Sequence, residues 1–433
     1  MKKILRNSWA LFTGYSMIMV AQGLQGNLLG VRSVIEDFNV LATGILMSAY
    51  FLGYFTGAKI VPNLVSKVGH IRVFAAFASM ASLSVLVHAV FVNPFIWTVA
   101  RFVTGLSIIG IFIVTESWLN DRANNRTRGK ILSVYMFITF TSIACGSLLL
   151  NFSSPEKYEP FILISLMWSV ALVPILLIKR QAPKFKKITS IKLTDLYKTS
   201  PMGVVSSFFT GFVHSAIFTL LAVYSATMHF TIFEISLLLF LITISGAIFQ
   251  WPIGYYSDLH DRRLIIVICS LTAAFFSLLA IIAVGSVPEL MYLAVDWELN
   301  KLAFFIFVTL FAGVSLPIYS LNLAHTNDFI PKEKFVAAGG GLQLVFGMGA
   351  IIGPILCTIF MSQYGANGFF IFLIIFHVLI GLFGIYRMTQ RKVKDNPESS
   401  FTPLQRNVTP LGMELDPTTA ADLSSTEKKL KSF

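Results

Sequence analysis

Long apolar runs separated by short polar loops recur from one end of the chain to the other. Trp9 to Val31 and Phe304 to Leu323 carry no charged residue, and each reaches the roughly 20 residues that cross ~30 Å of hydrocarbon as a helix. Lipid offers no water to a backbone, so such runs are helices or closed barrel strands. Continuous rather than alternating apolarity selects helices. The pattern predicts twelve spans, near 9–31, 41–62, 73–93, 95–117, 130–152, 161–179, 202–227, 234–255, 264–284, 302–323, 337–361 and 368–387. The expected fold is all-α and polytopic.

Composition agrees. Of 433 residues, 55% are hydrophobic and 12% charged, too little polar surface for a water-soluble domain. The start, MKKILRNSWALFTGYSMIMVAQG, has the basic flank and apolar stretch of a secretory signal. The run also holds Gln22, Gln25 and Asn27, and many spans follow it, so it reads as an uncleaved first helix. Cys145, Cys269 and Cys357 fall singly in apolar runs, without disulfide or metal spacing, and read as packing residues.

The net charge of +12 is explained by placement. With the N-terminus in the cytoplasm, the inner side receives Lys2, Lys3, Arg6, SKVGHIR, DRANNRTRGK, KRQAPKFKK, DRR, PKEK and the tail. The outer side keeps little beyond Arg32, Lys157 and Lys301. That is the positive-inside asymmetry, which puts both termini in the cytoplasm and removes nucleic acid as a partner. Residues 1–178 and 202–387 read as two six-helix halves joined by a basic linker, 179–201, in which SIKLTDLYK is a candidate surface helix. The polar tail, 388–433, reads as disordered.

The two halves carry related loops. After the second span comes PNLVSKVGHIRVF, from Pro62; after the eighth comes GYYSDLHDRRLII, from Gly254. Each runs from a turn-former through a polar residue to a basic cluster entering the next helix, the sign of an internal repeat of six helices. These loops resemble the signature G-x-x-x-D-(R/K)-x-G-(R/K)-(R/K) of the major facilitator superfamily (MFS) of secondary transporters. Gly254, Asp258, Arg262 and Arg263 match it, and Leu259 and Asp261 depart from it. In the first copy Lys67 and Gly69 match, Arg72 continues the basic cluster, and Ser66 stands where the Asp belongs. RFVTGLSIIG, with Arg101, Gly105 and Gly110, and GMGAIIGP, with Gly349, Gly353 and Pro354, also resemble family motifs. GVRSVIEDF and TESWLNDRANNRTRG look like the YcaD-type bacterial branch. The fifth span, TSIACGSLL, lacks the Pro that drug antiporters of the family carry there.

The resemblance implies twelve transmembrane helices in two pseudo-symmetric halves that rock around a midplane site. It implies a gating role for Ser66, Lys67, Gly69, Arg72, Gly254, Asp258, Arg262 and Arg263, with Asp258 against the start of the fifth helix near Gly129 and Lys130. The second copy supplies most of the charge, so the expected latch is asymmetric.

Ionisable and polar groups inside spans are costly and mark candidates for function. Gln22, Gln25 and Arg32 share a face of the first span, with Arg32 at its outer end. Arg101 lies about two turns into the fourth span. Glu116 is on the same side of that helix, too far along for a direct bond; it reads as a proton carrier or as the partner of Arg122, Arg126 or Arg128. On the seventh span Ser207, Thr210, His214, Phe218, Leu221 and Ser225 form one stripe, and His214 is a candidate for proton coupling because an unperturbed imidazole changes charge near neutral pH. His88 reads as structural. Gln250, Asn322 and Gln343 complete the substrate-binding candidates. The small residues of FVAAGGGLQLVFGMG suit either bending or close packing.

No nucleophile elbow, phosphate loop, HExxH or Cys-rich metal set is present, so neither an enzyme nor a resident metal or cofactor is expected. The reading is a monomeric, multi-pass transporter, in a bacterial inner membrane. Two arginines favour an anionic or zwitterionic metabolite, with Glu116 or His214 coupling transport to protons. A proton-driven drug exporter and a non-transporting sensor are the alternatives.

Overall fold

The computed structural model describes residues 2–177, 191–284, 297–390, 400–405 and 408–419, with side chains of 2–7 and 297–298 left aside. Among these residues there is no strand. Helices α1 (Lys2–Ile35), α2 (Val40–Val68), α3 (His70–Val90), α4 (Pro94–Arg122), α5 (Arg128–Leu148), α6 (Glu159–Val170) and α7 (Leu172–Leu176) build the first half. Helix α8 (Leu193–Thr199) stands where the linker pattern expects one. The second half holds α9 (Pro201–Thr227), α10 (Ile232–Leu259), α11 (Arg262–Ala283), α12 (Trp297–Ser315), α13 (Ile318–Asn327), α14 (Phe335–Tyr364) and α15 (Gly368–Gln390). A single turn, α16 (Pro410–Met413), lies in the tail.

Ten apolar stretches of membrane-spanning length occur among the described residues, and the last, 332–390, folds as two helices. With α1 they make twelve crossings. Local chemistry sets the ends. Asn93 caps α4, its Oδ1 accepting from the N–H of Phe95 at 2.9 Å and of Ile96 at 3.2 Å. Thr231 and Glu234 form a capping box on α10, and Asp261 caps α11. Each such cap satisfies N–H groups that have no partner within the helix.

Two spans expected to be continuous are broken. Pro174 lacks an N–H, and its ring crowds the carbonyl four residues back, where α6 gives way to α7; Pro317 likewise separates α12 from α13.

Within the first half α4 packs on α2 and α3, and α1 on α5 and α6; in the second, α9 packs on α14 and α15, and α11 on α12 and α15. The halves meet through α1 with α9, α2 with α14, and α5 with α10. Large apolar side chains such as Phe95, Phe137 and Trp251 stay exposed on the outside of the bundle, as a lipid-facing surface requires. The Gly-rich first half of α14 is closely packed: a Cβ on Gly349 would lie 2.1 Å from the carbonyl oxygen of Phe208 on α9.

Call the face where α1 begins the near face and the opposite one the far face. The far face is shut by helices from both halves. Asn151 Nδ2 donates to Ser236 Oγ at 2.6 Å, and a Cβ on Gly44 would lie 2.1 Å from Thr358 Oγ1. The near face is filled differently, by the tail. Leu404, Val408, Leu411, Met413 and Leu415 are buried, which corrects the expectation of disorder for 400–405 and 408–419. The rest of the tail beyond Gln390, and most of the linker (179–190 of 179–201), lie outside the described residues.

Candidate functional site

The interior holds a column of two small cavities along the interface of the halves. The one toward the far face, about 60 Å³, is bordered by Gln22, Asn27, Tyr50, Arg101, Thr219 and Thr243, among others. The second, about 50 Å³, has Phe140, His214, Gln250, Leu404 and Gln405 in its wall. Both include Ile143, Phe218 and Thr243, so they are consecutive. Each is large enough to hold water.

Arg101 dominates the first cavity. Gly105, one turn on, has no side chain between α4 and α2: a Cβ there would lie 1.9 Å from the Tyr50 carbonyl oxygen. That approach brings the Tyr50 ring to 4.7 Å from the Arg101 guanidinium carbon. The arginine is 1% exposed, and its Nε and Nη1 have no hydrogen-bond partner among the described residues. A cation–π contact offsets about 2 kcal/mol of the burial when desolvated. The three N–H bonds on these two nitrogens, unpaired on a buried cation, still cost about 1–3 kcal/mol each or more. The arrangement is suited to an anionic group entering the cavity.

The remaining candidates divide. Gln22 borders the Arg101 cavity. Gln25 instead faces α4, its Nε2 3.5 Å from Thr104 Oγ1. Arg32 sits apart at the far face, paired with Glu36 and donating to the Pro155 carbonyl at 3.0 Å, so it fastens α1 to the α5–α6 loop and is not brought to the cavity. Thr210 accepts from Asn322 Nδ2 at 3.4 Å within the second half, away from both cavities. His214 faces the second cavity, with Nε2 3.1 Å from the Ser315 carbonyl. Gln250 is in the same wall and its Oε1 has no partner among the described residues. Gln343 joins the halves nearer the near face, donating from Nε2 to Tyr54 Oη at 3.2 Å. His88 contacts the Ser84 carbonyl at 2.6 Å and the Trp97 ring, a packing role.

Asn27, Tyr50 and Thr243 were not among the expected binding residues. Asn27 was legible as a polar break in the first apolar run; its Nδ2 donates to Ser147 Oγ at 2.9 Å. Tyr50 gave no signal, because a tyrosine in a span reads equally well as core.

Glu116 is fully buried near the near face, and two of the three expected arginine partners, Arg122 and Arg128, are occupied elsewhere. Arg122 donates to Ser8 Oγ at 2.9 Å and Arg128 to the Glu414 carbonyl at 2.9 Å. The carboxylate accepts instead from Tyr135 Oη at 2.9 Å, from the N–H groups of Thr409 and Gly412 at 3.0 Å each, and from the Thr409 hydroxyl. Three of the four donors belong to the tail.

The gate residues are likewise engaged by the tail. Asp258 Oδ1 accepts from Arg262 Nη2 and from the Phe401 N–H, both at 2.8 Å. A Cβ on Gly254 would lie 2.1 Å from Phe401, and one on Gly129 would lie 2.7 Å from Pro417. Asp258 and Gly129, expected to meet directly, each hold one end of the tail segment. Arg262 also pairs with Asp328 at 3.1 Å. Arg263 pairs with Asp261 at 2.7 Å, and burial of the Asp261 carboxyl is outweighed by this partner, which holds it below the usual aspartate range. In the first copy Ser66 Oγ only donates back to Asn63 in its own helix at 2.8 Å. Lys67 and Arg72 are exposed, and Gly69 turns the chain with φ of 88°.

The chain is similar to known proteins over nearly its whole length. It is 24% identical over 363 residues to the Uncharacterized MFS-type transporter YcaD of Escherichia fergusonii, covering 83% of this chain and 90% of that protein. To YcaD of Escherichia coli (strain K12 / DH10B) it is 23% identical over 365 residues, with the same coverage. Among solved structures, the nucleoside transporter NupG superposes with a TM-score of 0.71 at 12% identity, over 89% of this chain and 99% of that one. A D-xylose-proton symporter superposes with a TM-score of 0.64 at 12% identity, over 87% and 94%. The family model described as Major Facilitator Superfamily matches residues 11–320 and 204–419. Its two matches take in both halves and the docked tail segment, and on that ground the chain belongs to the Major Facilitator Superfamily.

Proposed function

We propose that this secondary transporter carries a small anionic or zwitterionic metabolite by alternating access, bound between the halves at Arg101. The observation that carries the reading is the buried guanidinium beside Tyr50, with two nitrogens unpartnered among the described residues, on a residue that lines a cavity between the halves. Gln22 and Asn27 supply neutral polar contacts around it, and Gln250 and His214 line the way toward the near face. The positive-inside pattern supports a cytoplasmic near face, with both termini inside, and the bacterial relatives support an inner-membrane location. Cavities this small are those of a closed state, and substrate entry requires the halves to part.

Glu116 and His214 remain the candidates for proton coupling. Glu116 lies about 22 Å along α4 from Arg101, at 1.5 Å per residue, so it would act on the near-face gate rather than on substrate directly. A larger pocket of about 370 Å³, walled by Ile109, Ile113, Ile191 and Leu344, favours a second reading, export of an apolar compound.

Uptake by proteoliposomes of a panel of organic anions, amino acids and apolar dyes, under imposed pH gradients, separates these readings. Accumulation of an anion that is lost in Arg101→Ala supports the first. Dye transport indifferent to Arg101→Ala supports the second, and indifference of all transport to the pH gradient removes proton coupling.

A further inference from the structure

The composition of the tail predicts a solvated appendage, yet it is held at both ends and in the middle by the transport core. Phe401 lies on Gly254 and Asp258 of the second half. Pro417 lies on Gly129 of the first. Between them Leu404 exchanges hydrogen bonds with Ser320 Oγ at 3.1 and 3.2 Å, and Gln405 Nε2 donates to Tyr135 Oη at 3.3 Å. Thr409 and Gly412 close on Glu116.

Two features mark this as a fitted contact. First, the core presents glycine where the tail is bulky: a Cβ on Gly339 of α14 would lie 2.1 Å from Met413 Sδ. Second, the tail presents glycine where the core is bulky, since a Cβ on Gly412 would lie 2.6 Å from Glu116 Cδ. A buried carboxylate without partners is costly, and here the segment itself supplies three of its four donors.

Position then gives the consequence. Leu404 and Gln405 form part of the wall of the cavity that leads on to Arg101. The same segment occupies both surfaces, at Asp258 and at Gly129, that the gate would bring together. We propose that residues 400–405 and 408–419 are a built-in plug that binds the near-face mouth, blocks access to the central cavities, and holds the far face shut by wedging the near face apart. Transport then requires the plug to leave, and Glu116 is its receptor. The blocking role rests on the alternating-access reading, whereas the docking itself is testable without any substrate.

The test uses full-length protein with Cys145, Cys269 and Cys357 replaced by Ser and a reporter, Phe140→Cys, under the plug. Labelling by a small thiol reagent is read by mass spectrometry on the peptide carrying position 140. Gly412→Val, which drives a side chain into Glu116, should speed labelling by about tenfold if it weakens docking by one decade in the equilibrium. A second variant pairs Gly129→Cys with Pro417→Cys, whose Cβ atoms would be 3.9 Å apart, inside the ~3.5–4.5 Å that a disulfide needs. Oxidation of this pair should slow labelling at position 140 relative to the reduced form. Equal rates in the parent and Gly412→Val proteins, with no response to complete cross-linking, would overturn the plug. Because no substrate enters the assay, that failure leaves the uptake result standing, and loss of uptake leaves the plug standing.

Discussion

Gly412 and Glu116 are 296 positions apart, yet the glycine N–H donates to the carboxylate at 3.0 Å. The contact ties the tail to the middle of the bundle's near half. Glu116→Gln keeps one acceptor oxygen but turns an NH₂ toward N–H donors, which should cost the docked tail about 1–3 kcal/mol. Amide hydrogen exchange over 408–419 should quicken by about one to two decades, the equivalent of that energy in an opening equilibrium. Tyr135→Phe removes one donor to Glu116 together with the acceptor of Gln405 Nε2, leaves the bonds from Thr409 and Gly412, and should quicken exchange over 408–419 less. Unchanged exchange in Glu116→Gln would show that the carboxylate does not hold the tail.

Arg101 should not tolerate Lys. A lysine places one compact charge where the guanidinium presents a planar fork against Tyr50. Loss of a charge-assisted hydrogen bond of about 1.5–3 kcal/mol predicts a rise of about 10- to 100-fold in KM for an anionic substrate. Arg101→Ala should do at least as much. Wild-type kinetics in Arg101→Lys proteoliposomes would move the substrate elsewhere.

The far face should be openable from Gly44. A valine there would collide with Thr358 on α14, already 2.1 Å from a bare Cβ, at a cost of about 1–3 kcal/mol to the shut form. Thiol labelling of a cysteine placed at Gln22 should then quicken from the far side. If it slows or stays the same, this contact does not hold the face closed.

Acidity should tighten the tail. Burial holds the Asp416 carboxyl above its ordinary value of 3.8, against hydrogen bonds from Thr418 and Thr402 and the charge of Arg128. The docked state therefore binds this proton more tightly than the free tail. Its contribution is fully present below the free value and is lost as pH rises through the docked one. Asp416→Asn retains an acceptor for the Thr402 hydroxyl and the Thr418 N–H, both now 2.9 Å away, and cannot ionise. At neutral pH its tail should exchange more slowly than wild type, and the two should converge in acid. A wild-type tail that loosens on acidification more than Asp416→Asn does would reverse the sign.

The gate loops should respond unequally. Asp258→Asn weakens the acceptor of both Arg262 and the Phe401 N–H and should free the start of the tail. Ser66→Ala removes only a bond within its own helix and should change stability by under about 0.5 kcal/mol. Exchange at residues 401–405 compares the two directly, and equal effects would remove the asymmetry.

The spans were legible because each carries its own signal, an apolar run of membrane length with few or no charges. Arg101 and Glu116 were legible for the converse reason, as charges where lipid forbids them. The tail was not. Its apolar residues Leu404, Val408, Leu411 and Leu415 recur at helical separations of four, three and four, but Pro403, Pro410 and Pro417 interrupt any helix there, so the stretch reads as loop. Their burial depends on a surface assembled from α4, α5, α10 and α14, which no local stretch displays. Tyr50 was missed because its role comes from the approach of α2 to α4 at Gly105. Arg32 was over-read because a helical face does not tell how far along the axis the cavity extends.

The break at Pro317 makes the tenth crossing two levers on one pivot. Ser315 at the end of α12 is pinned by two imidazoles, its carbonyl by His214 and its hydroxyl by His377 at 2.9 Å. Beyond the pivot α13 carries Ser320, which grips Leu404, and is followed at its end by Asp328, which grips Arg262. A force applied through the tail thus reaches the short arm, while the long arm stays clamped to its histidines.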